Sequence, residues 1–220
     1  MDAIIFDLDG VLVSTDRLHF LAWKHLTDQL GIPFDETVNN RLRGISRMES
    51  LNIILEQSAV SYSQEEKERF AEEKNQYYRE LLKSLTPDDL LDGVRETLTE
   101  LKLRQYLLAV GSSSKNTKFI LDRIGLSDCF DAISDGTNIT KSKPDPEVFL
   151  KAAEYLAVPP EQCIVVEDAY AGVDAAKAAK MLAIGIGDAA TYEKADFSIQ
   201  SLPELPGIMH KFSAVTARNA

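Results

Sequence analysis

The residues able to do chemistry fall into four short segments. Asp7 and Asp9 stand in DLDG; Ser112, Ser113 and Ser114 run into Lys115 and Asn116; Lys143 lies in SKPDPEVF; Glu167 and Asp168 stand side by side. Acids gathered in one place repel one another unless a cation joins them, and hard carboxylate oxygens suit magnesium. Lys143 would offset charge on a bound phosphoryl group. Hydroxyls and main-chain N–H groups of 112–116, opening a helix, would hold its oxygens. Taken singly, each segment has an ordinary explanation. Asp-Gly is a turn former, a Glu-Asp pair caps helices, and a lysine before proline is usually solvated. Only their convergence gives them a chemical reading.

Convergence requires elements that bring distant segments together. AIIF (Ala3–Phe6), LLAVG (Leu107–Gly111), AIS (Ala132–Ser134), CIVVE (Cys163–Glu167) and LAIGI (182–186) are short apolar runs that read as buried strands. Helical periodicity follows most of them: Val94, Leu98 and Leu101; Ile120 and Ile124; Val148, Phe149, Ala152, Ala153 and Leu156. Asp145 is the expected N-cap of the last of these helices, with Pro146 at its first position. Apolar strands alternating with helices predict a parallel sheet covered on both faces, a Rossmann-like three-layer α/β core. Ligands collect beyond the carboxyl ends of such strands, where the four segments lie.

Residues 14–86 break the alternation and read as helix only. The segment 14–30 carries Leu18, Leu21, Ala22 and Leu26 on one stripe. Ser46 to Glu49 and Ser63 to Glu66 have capping-box spacing, each opening a helix. The acidic run 65–73 reads as a solvated helix face. The expected organisation is a core of residues 1–13 and 87–220 with a helical cap of residues 14–86, hinged near 13–15 and 86–92. The small, polar stretch after Phe212 is expected to fray.

Composition narrows the partners. A formal charge of −11 argues against nucleic acid and membrane surfaces, which need a basic face. No apolar run approaches the roughly 20 residues that cross a bilayer. Cys129 and Cys163 have neither metal-ligand nor disulfide spacing. A cytoplasmic monomer acting on a small phosphorylated molecule is the expectation.

Asp7-Leu-Asp9-Gly10-Val11, Ser112, Lys143 in SKPDP, and Glu167-Asp168 resemble, in order and spacing, the four motifs of the haloacid dehalogenase-like phosphotransferases. A lone DxD is weak; four ordered motifs are specific. The resemblance implies Asp7 as nucleophile and Asp9 as general acid and base. It also implies Ser112 and Lys143 as phosphoryl holders, with magnesium held by Asp7, the Asp9 carbonyl and Asp168, supported by Glu167. HFLAWK, LRGISR and SSSKN further resemble the sugar-phosphate mutases of that superfamily. That likeness implies a catalytic-coupling role for His19. It also implies substrate contacts from Trp23, Arg43, Gly44, Ile45, Arg47, Ser114, Lys115 and Asn116. Thr15, His19 and Trp23 share one ridge, and Arg47 with Lys115 would supply a second phosphate site. The implied activity interconverts β-glucose 1-phosphate and glucose 6-phosphate through an aspartyl phosphate and a glucose 1,6-bisphosphate. A sugar-phosphate phosphatase of the same superfamily is the alternative, and a non-catalytic sugar-phosphate sensor the third reading. The chain departs from the pattern at Ser14, where an acid is usual, at Ser113 for Ala, and at Ala169 for Ser.

Overall fold

The apolar runs pair into a single sheet in the computed structural model, which describes residues 1–42 and 45–216. Strands β1 (Ala3–Phe6), β2 (Leu107–Gly111), β3 (Ala132–Ser134), β4 (Cys163–Glu167), β5 (Leu182–Gly185) and β6 (Phe197–Ser198) lie in the order β3-β2-β1-β4-β5-β6. Every pairing is parallel. The sheet is buried on both faces because successive side chains alternate between two clusters. Ile4, Phe6, Leu108, Val110, Ile164 and Val166 face α5 (Val94–Leu103), α6 (Thr117–Arg123) and α9 (Leu205–Thr216). Ala3, Ile5, Ala109, Cys163, Val165 and Ala183 face α7 (Glu147–Leu156) and α8 (Tyr170–Ala178).

Among the described residues, four α-helices lie between β1 and α5: α1 (Asp16–Leu30), α2 (Glu36–Asn40), α3 (Arg47–Leu55) and α4 (Gln64–Leu82). Both expected capping boxes form, at Ser46 with Glu49 and at Ser63 with Glu66. Trp23, Leu26, Ile32, Phe34, Leu51, Ile54 and Phe70 make a third apolar cluster, separate from the two that flank the sheet. The chain leaves and re-enters the core side by side. Leu91 N–H donates to the Leu12 carbonyl at 3.0 Å, and Val13 bridges Leu90.

Some local expectations shift. Pro146 is the N-cap of α7, and Asp145 Oδ1 instead accepts the Glu147 N–H at 3.0 Å, one residue from the expected arrangement. Leu21 is exposed; Trp23 takes its place on the buried face of α1. Strand β6 had no sequence signal because it is only two residues long. Helix α9 is described through Thr216.

Candidate active site

Three strand ends build one wall of the site. The strand order reverses between β1 and β4, and such switch points open a crevice beyond the strand termini. Phe6 pairs with both Val110 and Val166, so Asp7, Ser112 and Asp168 emerge from adjacent strands. The Asp7 N–H still bonds the Val166 carbonyl, at 2.9 Å, which fixes the direction of its side chain. Gly10 has φ +79°, and a Cβ there would lie 2.1 Å from Asp168 Oδ2. The glycine of DLDG is therefore a requirement of the acid opposite. Gly172 does the same for Glu167, whose Oε1 would meet an added Cβ at 1.8 Å.

Asp7, Glu167 and Asp168 each place a carboxylate oxygen within 4.8 Å of the other two. Lys143 Nζ donates to Asp7 Oδ1 and Glu167 Oε1, both at 2.5 Å, and is buried with them. Burial pulls the Lys143 amine down, but the two carboxylates outweigh it and hold the group above its ordinary value. Asp168 has no share in this bridge. Burial, then the charges of Glu167 and Asp7, push its carboxyl up to about 9. An all-oxygen cluster with one acid left electrostatically strained is what a hard divalent cation relieves, so these residues fit a metal.

Asp9 faces the hinge. Its Oδ1 accepts the Thr15 N–H at 2.7 Å and its Oδ2 the Thr15 hydroxyl at 2.6 Å. Desolvation raises its carboxyl to about 6 despite those two bonds, with smaller contributions from Asp7 and Asp16. Thr15 in turn accepts from Tyr78 of α4 at 2.9 Å. A hydrogen-bond chain thus runs from the helical insert to Asp9.

The insert supplies the opposite wall of a cleft of about 1390 Å³. His19 stacks on Tyr78 with ring centroids 4.1 Å apart, and its Nδ1 lies 2.9 Å from Lys74 Nζ. Its link to Asp9 runs through Tyr78 and Thr15. Burial first, then the charges of Lys74 and Arg47, lower His19 well below the usual imidazole range. Trp23 lines the cleft beneath Lys74 Nζ, 4.6 Å from its ring centroid, and also belongs to the insert's core. Ile45 and Arg47 line the same wall, whereas Arg43 and Gly44 lie outside the described residues. Arg47 Nη1 meets Glu72 Oε2 at 3.4 Å.

On the core side, Ser112 Oγ accepts the Ser114 N–H and Ser114 Oγ the Asn116 N–H, a chain of turns that presents Lys115 at the cleft. Asn116 Nδ2 reaches across to Asn75 of α4 at 3.0 Å. The cleft thus gathers every described residue that the sequence nominated.

Sequence reasoning passed over Glu72, Lys74, Asn75 and Tyr78, all on α4. The signal was present for two of them. Phe70, Lys74 and Tyr78 are spaced i, i+4, i+8, which sets Lys74 on the apolar face. The acidic run around it drew attention to the other side of the helix.

With this site on a parallel sheet, the comparisons with known proteins agree. The chain belongs to the haloacid dehalogenase-like hydrolases, whose family model matches residues 1–180. It is 44% identical to the β-phosphoglucomutase of Bacillus subtilis over 207 residues, 93% of this chain and 92% of that protein. A crystal structure of β-phosphoglucomutase from Clostridium difficile superposes with a TM-score of 0.91 at 40% identity, covering 99% of each chain. The phosphorylated carbohydrates phosphatase of Thermotoga maritima is 38% identical over 182 residues, 81% of this chain and 82% of that protein.

Proposed function

We propose that this chain acts as a β-phosphoglucomutase, interconverting β-glucose 1-phosphate and glucose 6-phosphate with glucose 1,6-bisphosphate as intermediate. The observation that carries the reading is one cleft lined by cationic groups from separate segments: Lys143 beside Asp7, and also Arg47 from the helical insert and Lys115 from the loop after β2. A hydrolase needs one phosphate site; a mutase working through a bisphosphate needs two. The likeness to the Bacillus subtilis and Clostridium difficile mutases supports the same reading.

Asp7 is the nucleophile: a carboxylate oxygen attacks phosphorus as the bond to the sugar oxygen breaks, and the phosphoryl group passes to Asp7. Asp9 gives a proton to the departing sugar oxygen and takes one from the hydroxyl that attacks in the return step. A carboxyl held near 6 suits both directions close to neutrality. Lys143, Ser112 and the N–H groups of 113–116 hold the phosphoryl oxygens. Asp7, the Asp9 carbonyl and Asp168 would hold magnesium, with Glu167 orienting the set through Lys143. The ion would neutralise phosphoryl charge and align it with Asp7. His19 and Lys74, joined through Tyr78 and Thr15, couple occupancy of the cleft to the placement of Asp9. Trp23, Ile45 and Arg47 from one wall, and Ser114, Lys115 and Asn116 from the other, embrace the sugar and its distal phosphate; Arg43 and Gly44, outside the described residues, are assigned to the same contacts by resemblance alone.

Residues 14–86 serve as a cap over the core of residues 1–13 and 87–220, and its closure keeps water from phosphorylated Asp7. The reading includes a monomer, and both cysteines are free, which suits a reducing compartment such as the cytoplasm. The Thermotoga maritima relative keeps a second reading, sugar-phosphate phosphatase, in view. Incubation with β-glucose 1-phosphate, a trace of glucose 1,6-bisphosphate and magnesium separates them. Glucose 6-phosphate without matching free phosphate is the expected result; free phosphate in its place identifies a phosphatase.

A further inference from the structure

We infer that Glu72 competes with the substrate's distal phosphate for Arg47, and thereby lets the bisphosphate intermediate leave the cap end of the cleft. The inference rests on Arg47 holding that phosphate. The two side chains form an ion pair at 3.4 Å, Arg47 Nη1 to Glu72 Oε2, and both residues line the cleft. Glu72 is the anionic partner of Arg47 among the described residues. Glu49 and Glu68 line the same cleft, but of the described acids it is Glu72 that stands within ion-pair distance of Arg47.

The exposures are unequal. The Arg47 side chain is 24% exposed and that of Glu72 57%. Arg47 is thus held in the wall, while the carboxylate can swing into water at little cost. Burial bears on the guanidinium, and Glu72 supplies part of the compensation while no anion is bound. A phosphate dianion offers more charge and a fork of oxygens that matches a guanidinium, so it displaces the carboxylate.

A phosphatase gains from a tight distal grip only through substrate affinity. A mutase has a further demand, because its bisphosphate must release both ends before the other phosphate can face Asp7. Grip that is equal in ground and transition states slows that release without helping the chemistry. A carboxylate waiting beside Arg47 takes the guanidinium back when the phosphate lifts away, which shortens the occupied lifetime. The pair is partly exposed, so the effect is modest, about two- to five-fold.

The test is Glu72→Gln, assayed for glucose 6-phosphate formation from β-glucose 1-phosphate with magnesium and a trace of glucose 1,6-bisphosphate. KM and kcat are expected to fall together, each about two- to five-fold, as release slows. Phosphorylation of Asp7 by acetyl phosphate should keep its wild-type rate. A rise in KM would mean that Glu72 positions Arg47, and overturns the inference; so does any other pattern, including no change in either constant. Arg47→Ala, run alongside, separates the two levels. If it impairs turnover while Glu72→Gln is silent, only the competition fails. If it leaves turnover intact, the distal-phosphate role of Arg47 fails as well.

Discussion

Two lysines, equally buried at 2% exposure, line the same cleft under opposite conditions. Lys143 on the core side donates to two carboxylates and is held above its ordinary pKa. Lys74 on the helical side pairs with no carboxylate among the described residues. It lies over the rings of Trp23 and Tyr78, at 4.6 and 4.5 Å, and beside His19. Burial, and then the charge of Arg47, lower its amine well below the ordinary lysine value, against a smaller opposing pull from Asp9. Burial by itself neutralises a lysine; only fixed anions reverse that. The core therefore keeps a permanent cation beside Asp7. The helical wall keeps a poised one, whose charge an incoming anion would favour.

The largest effect expected from this contrast is on the core side. Asp7→Asn should abolish phosphoenzyme formation, read by acid-stable trapping of labelled phosphate, while the fold persists because the amide still fills the strand end. Measurable turnover in that variant would remove the core from the chemistry. Lys143→Met comes next. It should cut turnover by about 10²–10³-fold through lost phosphoryl stabilisation. It also leaves Asp7 and Glu167 buried without their cation, which should destabilise the fold by about 3–5 kcal/mol in urea unfolding. A variant stable and active at wild-type levels would show that the bridge is idle.

Changes on the helical side should be smaller and more selective. Arg47→Ala should lower mutase turnover by about 10²-fold, as expected for loss of a charged, oriented phosphate contact. Phosphorylation of Asp7 by acetyl phosphate should remain near wild type. Equal loss of both activities would count against a distinct distal site. Lys74→Met is expected to preserve packing, since methionine fills a similar volume between the rings. Its signature is a pH slope. A lysine with a depressed folded pKa binds fewer protons folded than unfolded, so its contribution to wild-type stability improves as pH rises toward 10.5. The stability gained by Lys74→Met should therefore be greater at pH 7 than at pH 10 in urea titrations. A pH-independent difference would mean that Lys74 is charged in the folded protein.

The same contrast explains what was legible in the sequence. Asp7, Ser112, Lys143, Glu167 and Asp168 could be nominated because they follow apolar strands or precede a helix, positions that local pattern reports well. The capping boxes at Ser46 and Ser63 were equally local. Glu72, Lys74 and Tyr78 were passed over because a charged helix such as 64–82 shows two plausible faces, and the surrounding glutamates made the wrong one conspicuous. Asp145 was displaced by one residue for a related reason: Asp and Pro are both start signals, and geometry chooses between registers.

By itself the sequence determined the five strands β1 to β5, that they run parallel, and that acids gather at their ends, since short apolar runs and hydrogen-bonding valence leave few alternatives. Tertiary structure decided the rest: that Gly10 must lack a side chain for Asp168 to approach, that Thr15 gives its hydroxyl to Asp9 and leaves α1 without a side-chain cap, and that one buried lysine is braced by anions while the other rests on aromatic rings. Charge state and close approach depend on neighbours remote in the chain, and the dielectric around a side chain is set only when those neighbours arrive.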